Sequence, residues 1–147
     1  MKITGILRAE HSVFHNLFDY VERTAPTVRT AAEVKSLARL TEALLAAHSK
    51  TEDELFIEPL EHCFEQVGQR ETFHEEHDAI DQALAAVQKA RDLKTAKRQL
   101  LAVVVAARKH FDKEERIVFP LAERVLKAKT LTDLGEEWLK RREATLK

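Results

Sequence analysis

Four long stretches of this chain return an apolar residue at every third or fourth position. The first reads Leu7, His11, Phe14, Phe18 and Val21, and the second Val34, Leu37, Thr41, Leu44, His48, Glu52 and Leu55. The third is Phe73, His77, Ile80, Leu84 and Val87, and the fourth Leu100, Val103, Ala107, His110, Glu114, Ile117 and Leu121. That spacing is the signature of a helix with one face turned inward, and it does not suit a strand. Four such helices with short connections predict an all-α fold, an antiparallel up-down-up-down four-helix bundle. Only three glycines and three prolines occur in 147 residues, as long helices require. The length predicts one domain spanning residues 1–147.

Turn and cap residues set the expected boundaries. Thr24, Ala25, Pro26 and Thr27 end a first helix over residues 4–23. Thr30 and Glu33 have capping-box spacing and open a second helix, which continues past Pro59 toward residue 67, with Gly68 as its stop. A third helix covers 69–91, and a break at 92–95 precedes a fourth that reaches about residue 129. Thr132 caps a short C-terminal helix carrying Trp138 and Leu139. Pro59 and Pro120 each lack a donor and crowd the preceding turn, so each is expected to kink or break its helix.

Charged residues make up 33% of the chain but cancel to a net charge of −1, which argues against nucleic-acid and anionic-membrane partners. Lys140, Arg141 and Arg142 read as a solvated helix end. The opening residues lack the apolar run of a signal peptide and no segment is long enough to span a bilayer, so a cytoplasmic location is expected. The single cysteine, Cys63, permits no internal disulfide and reads as a small buried apolar residue.

The stripes carry an anomaly. Each holds one histidine at a core position, and the second and fourth add a glutamate one helical turn later. The segment HSKTEDELFIEP from His48 returns as HFDKEERIVFP from His110, so a His-x-x-x-Glu pair is written twice. A buried carboxylate is costly unless it is paired or binds a cation. At roughly 1.5 Å of rise per residue His77 and His110 fall at nearly the same height, and His11 and His48 agree less closely. Four imidazoles and two carboxylates then converge at mid-bundle, and the candidate metal ligands are His11, His48, Glu52, His77, His110 and Glu114.

The arrangement predicts an internal two-fold hairpin repeat, about residues 4–67 and 69–129, each with a Glu-His pair on its first helix and one half-site. A single His-x-x-x-Glu is a weak signal in so glutamate-rich a chain; four level histidines with two glutamates in register are a strong one. His74 is a candidate additional ligand and His15, one turn beyond His11, a candidate to cover the site. His62 is expected outside it. Asp53 and Glu115 should rotate away from the seam, and only a local helix distortion brings them in.

With these residues together, the chain resembles the hemerythrin-like family, specifically its bacterial HHE cation-binding branch, from LRAEH through HSKTEDELFIEPL and EEHDAI to HFDKEERIVFPLAE. The resemblance implies a non-heme di-iron centre with an oxo or hydroxo bridge. Glu52 and Glu114 would bridge the two iron ions, with His11 and His48 on one and His77 and His110 on the other. Zinc or manganese also suit such donors. The third and fourth helices depart from the oxygen carriers, having His74-x-x-His77 and His110-x-x-x-Glu114 where those have His-x-x-x-His and His-x-x-x-x-Asp. A metal- and oxygen-binding protein is therefore expected before an enzyme, one that takes dioxygen, nitric oxide or peroxide, or handles iron. The alternatives are a peroxide-decomposing or ferroxidase-like oxidoreductase and a metal-free helical interaction module. Leu7, Phe14, Leu44, Leu55, Phe73, Ile80, Ile117 and Phe119 are the candidate apolar shell.

Overall fold

The structure, a computed structural model, describes residues 1–66 and 70–145, and their side chains except those of 63–66, 70–74 and 145. The described chain is helical, without strands: α1 (Ile3–Thr24), α2 (Ala31–Glu52), α3 (Glu58–Gln66), α4 (Arg70–Lys89), α5 (Leu93–Lys113), α6 (Phe119–Val125) and α7 (Ala128–Thr145). Two five-residue π-helical turns, Asp53–Ile57 and Glu114–Val118, join α2 to α3 and α5 to α6. Among the described residues no helix is long and apolar enough to cross a membrane.

Local chemistry explains the starts. Thr30 and Glu33 close the expected capping box: the Thr30 Oγ1 accepts from the Glu33 N–H, and the Glu33 carboxylate accepts from the Thr30 N–H at 3.0 Å. Asp92 caps α5 by accepting from the Thr95 N–H at 2.8 Å, so the break expected at 92–95 is already the first turn of a helix. The C-terminal helix begins at Ala128 and runs 18 residues; Thr132 lies inside it, bonding back to the Ala128 carbonyl.

The prolines do not break their helices. A proline ring crowds the carbonyl four residues earlier and offers no N–H. Here the turn before each proline is widened: the Glu58 N–H bonds to the Asp53 carbonyl and the Phe119 N–H to the Glu114 carbonyl, both five residues back. The α-helix resumes at once.

Two apolar clusters fill the interior, and the order in which each helix meets them gives the topology. The first holds Phe14, Phe18, Leu45, Leu84, Leu100 and Phe111; the second holds Leu7, Phe56, Leu60, Val118, Phe119 and Trp138. Helix α1 passes from the second cluster to the first, α2 from first to second, and α5 again from first to second. Helix α4 meets the first cluster toward its C-terminal end, as α1 does. Neighbours alternate in direction, as in an up-down-up-down bundle, and α7 closes the second cluster with Leu131 and Trp138. On α1, α2 and α5 a polar layer separates the clusters: His11, His48 to Glu52, and His110 to Glu114.

Of the expected apolar shell, Leu7, Phe14, Leu55, Ile80 and Phe119 are buried. Leu44 and Ile117 are each 44% exposed, because Leu45 and Val118 take the inward positions beside them. Gly68 and the side chains of Cys63, Phe73 and His74 lie outside the described residues.

Candidate metal centre

The polar layer is built from adjacent residues that point to different helices. His11, His48, Glu52, His110 and Glu114 are buried to 2% exposure or less, and His77 only slightly more open. Their inward atoms crowd together. His77 Nε2 lies 2.8 Å from His110 Nε2, and His110 Nε2 lies 2.8 Å from Glu114 Oε1. His11 Nε2 is 3.3 Å from Glu114 Oε2, and His48 Nε2 is 3.6 Å from Glu52 Oε2.

A second ring of carboxylates meets the outer nitrogens. His48 Nδ1 bonds to Glu10 at 2.8 Å and His110 Nδ1 to Glu76 at 2.9 Å, each between the two helices of one hairpin. His11 Nδ1 bonds to Glu115 at 3.0 Å, and His77 Nδ1 lies 3.4 Å from Asp53, both between hairpins. A carboxylate that accepts from the Nδ1–H leaves the Nε2 lone pair facing inward, the tautomer a metal ligand needs. Asp53 and Glu115 are the first or second residues of the π turns, so the distortion that accommodates the prolines is also where these carboxylates enter. They stay half-buried at the rim of the layer.

Six of these inward atoms make no hydrogen bond. His11 Nε2, His48 Nε2 and all four oxygens of Glu52 and Glu114 are buried without a hydrogen bond. Native proteins leave few such atoms, and six in one layer suit a site that holds cations. The charges agree. Burial and the neighbouring Glu114 push the Glu52 carboxyl well above the usual carboxylate range. Glu114 is held low despite burial, by His110 and His11. Burial opposes the charged form of His110, yet Glu114 and Glu76 raise it to about 9. Without cations the layer must keep protons among its acids and bases, and divalent ions would replace them.

Among the described residues, two groups bring one ligand atom per side chain within 4.8 Å of one another: His11, His48, Glu52 and Glu114, and Glu52, His77, His110 and Glu114. Both glutamates belong to both groups. The six residues expected from the spacing therefore meet, with two histidines on each side of a shared carboxylate pair, and the donor set fits two cations. His15 belongs to neither group; its Nδ1 accepts from Arg108 at 3.2 Å and its ring packs edge-on against Phe111. Phe111 in turn stacks on His11 with centroids 4.0 Å apart. His62 is exposed on α3.

Three supporting residues escape the spacing argument. Glu10 accepts from Trp138 Nε1 at 2.7 Å and from Arg142 Nε at 2.9 Å and Nη2 at 3.0 Å. Burial raises the Glu10 carboxyl, but these bonds and His48 bring it down to about 2. Arg142 also donates to the Ala47 carbonyl and to Thr51, and its guanidinium sits 4.7 Å over the Trp138 ring. Arg142 is thus docked, not solvated, and Arg141 pairs with Glu54, while Lys140 is exposed as expected. The Glu-His pair at 10–11 and 76–77 is the signal by which Glu10 and Glu76 can be found; Trp138 and Arg142 leave none.

A scan against protein families matches the hemerythrin HHE cation binding domain over residues 2–122 and again over 69–136. No curated protein and no solved structure matches the chain. The first family match takes in the four long helices and every residue of both histidine–glutamate groups, and this chain belongs to the hemerythrin HHE cation-binding domain family.

Proposed function

We propose that the chain binds a pair of iron ions and through them takes up or reacts with dioxygen, nitric oxide or peroxide. In this reading His11 and His48 hold one ion, His77 and His110 hold the other, and Glu52 and Glu114 bridge them. The observation that carries it is the sharing of both buried glutamates by two histidine pairs. Iron bound there supplies reversible one-electron chemistry and an open coordination position for a small ligand.

The chain's own residues set the conditions. Glu52 and Glu114 offset cation charge that a dry core could not otherwise hold. Glu115, Glu10 and Glu76, bonded to Nδ1 of His11, His48 and His110, fix those three imidazoles with Nε2 turned inward. Phe111, Phe14 and Phe119 line the His11 side and exclude water. A cleft of about 430 Å³ between α2 and α4, lined by Ser49, Asp53, Asp78, Asp81, His77 and His110, gives a small neutral reactant a path to the second ion. That path also favours a second reading, an oxidoreductase that turns over peroxide or ferrous iron, since turnover needs access.

Metal analysis with visible spectra of the iron-loaded protein, before and after oxygen or azide, tests the proposal. Two ions per chain with an oxygen-dependent band is the expected result. A chain that holds no iron after anaerobic reconstitution overturns it. Catalase and ferroxidase rates separate the two readings, because rates no better than free iron remove the second.

A further inference from the structure

The two histidine pairs are supported differently. Glu76, behind His110, is met by Lys113 Nζ at 3.1 Å from the helix that carries the histidine itself. Glu10, behind His48, is met by α7: Trp138 Nε1 on one oxygen, and the Arg142 guanidinium across both. Arg142 reaches further, to the Ala47 carbonyl at 2.9 Å and Thr51 Oγ1 at 3.2 Å, the residues just before and one turn after His48 toward the π turn. The Trp138 ring, fully buried, packs edge-on to His48 with centroids 5.8 Å apart. The position of α7 is set one turn before Trp138. A side chain at Gly135 would place a Cβ 2.2 Å from the Met1 carbonyl oxygen and 3.1 Å from the Ile3 nitrogen, so α7 lies against the start of α1 as closely as backbones allow.

Resting on the proposed two-ion site, we propose that Trp138 and Arg142 are positioning residues for the ion held by His11 and His48, acting through Glu10, so that docking of α7 completes one half of the centre and leaves the other half indifferent. A carboxylate clamped by three N–H donors can rotate neither off His48 Nδ1 nor toward the metal. The imidazole behind it is held in one tautomer and one orientation. Among the described residues, no contact from Trp138 or Arg142 to the His77–His110 half carries the same effect.

Cobalt(II) alone is the test metal, followed by anaerobic calorimetry and by its visible absorption, with circular dichroism to establish that each variant folds. Arg142→Ala is placed in two backgrounds: His77→Ala, which keeps the His11–His48 pair, and His48→Ala, which keeps the His77–His110 pair. The expected loss of affinity is about 10- to 100-fold in the first background and none in the second, the size found when an outer partner of a metal-bound histidine is removed. Trp138→Phe gives a smaller loss in the same background with a shifted cobalt spectrum, and Arg142→Lys recovers part of the affinity. Gly135→Ala, remote from the ligands, reproduces the selective loss by displacing α7. An affinity that Arg142→Ala leaves unchanged in both backgrounds, or lowers equally in both, overturns the inference. If Arg142→Ala does not fold, Trp138→Phe and Arg142→Lys are scored by the same criterion. A wild-type chain that binds no cobalt and no iron removes the proposed function itself, whereas wild-type binding without selectivity removes only the role of α7.

Discussion

His77 Nε2 and His110 Nε2 face each other at 2.8 Å across the α4–α5 hairpin. Two inward lone pairs cannot sit that close unless a proton or a cation lies between them, so the metal-free chain needs a proton there. Glu114 and Glu76 supply the reason it stays, holding His110 protonated to about pH 9 against the burial that opposes it. A base whose folded pKa lies above its unfolded value stabilises the fold fully below the unfolded value, about 6.5, and that stability is lost as pH rises through about 9. Denaturant melts of the chelated protein should therefore show stability falling as pH rises from 6.5 to about 9. The burial-raised Glu52 acts in the same direction. The iron-loaded protein should lose this dependence, since the metal replaces the proton.

Glu52 and Glu114 look equivalent by position but not by charge. Glu52 is the carboxyl driven toward its neutral form, so Glu52→Gln should change metal-free stability by no more than about 1 kcal/mol. Glu114 is ionised against His110 and His11, and Glu114→Gln should cost the metal-free protein about 3–5 kcal/mol, as removing one partner of a buried pair does. Both variants should lose metal from both groups, because both groups use both residues. Urea titrations and metal analysis on the same samples separate the two effects.

Phe111 joins the apolar core to the site, packing on Phe14 and Phe18 and lying parallel to the His11 ring. Phe111→Ala should destabilise the fold by about 3–5 kcal/mol and loosen metal binding as well. Phe111→Leu should recover most of the stability and less of the binding, since it restores volume but not the flat surface. Parallel thermal and metal titrations would show the split.

The capping box at Thr30 and Glu33 lies at the far end of α2 from the site. Thr30→Ala should cost about 1 kcal/mol of stability and leave metal stoichiometry unchanged. A change in stoichiometry would mean that the centre reads global stability and not its own ligands alone.

Much of this site is legible in the sequence because its six central residues lie on helical stripes, where period and rise are enough to place them. His11, His48, Glu52, His77, His110 and Glu114 all fall on the predicted seam and all meet. The outer carboxylates follow less readily. Asp53 and Glu115 sit one position past a seam residue, and straight-helix geometry turns them away; only a π turn, whose trace in the sequence is no more than a following proline, sets the helix phase in which they act. Trp138 and Arg142 are not legible at all, because their bonds to Glu10 span more than a hundred residues and depend on how α7 docks. The same limit explains the choice of Leu44 over Leu45: in a stripe of consecutive apolar residues the phase is ambiguous by one position.

Each π turn spends one residue more per turn than the α-helix around it, which makes α2 to α3 and α5 to α6 two rods spliced with a built-in slip. Re-winding 53–57 or 114–118 as plain α-helix with every residue kept would spin everything beyond it by about 100°, and only the loss of one residue at the same place would cancel that turn. Without that loss Phe56 and Leu60, or Val118 and Phe119, would swing away from the second apolar cluster. The slip therefore takes up an odd residue locally, and the rod beyond it keeps its inward face.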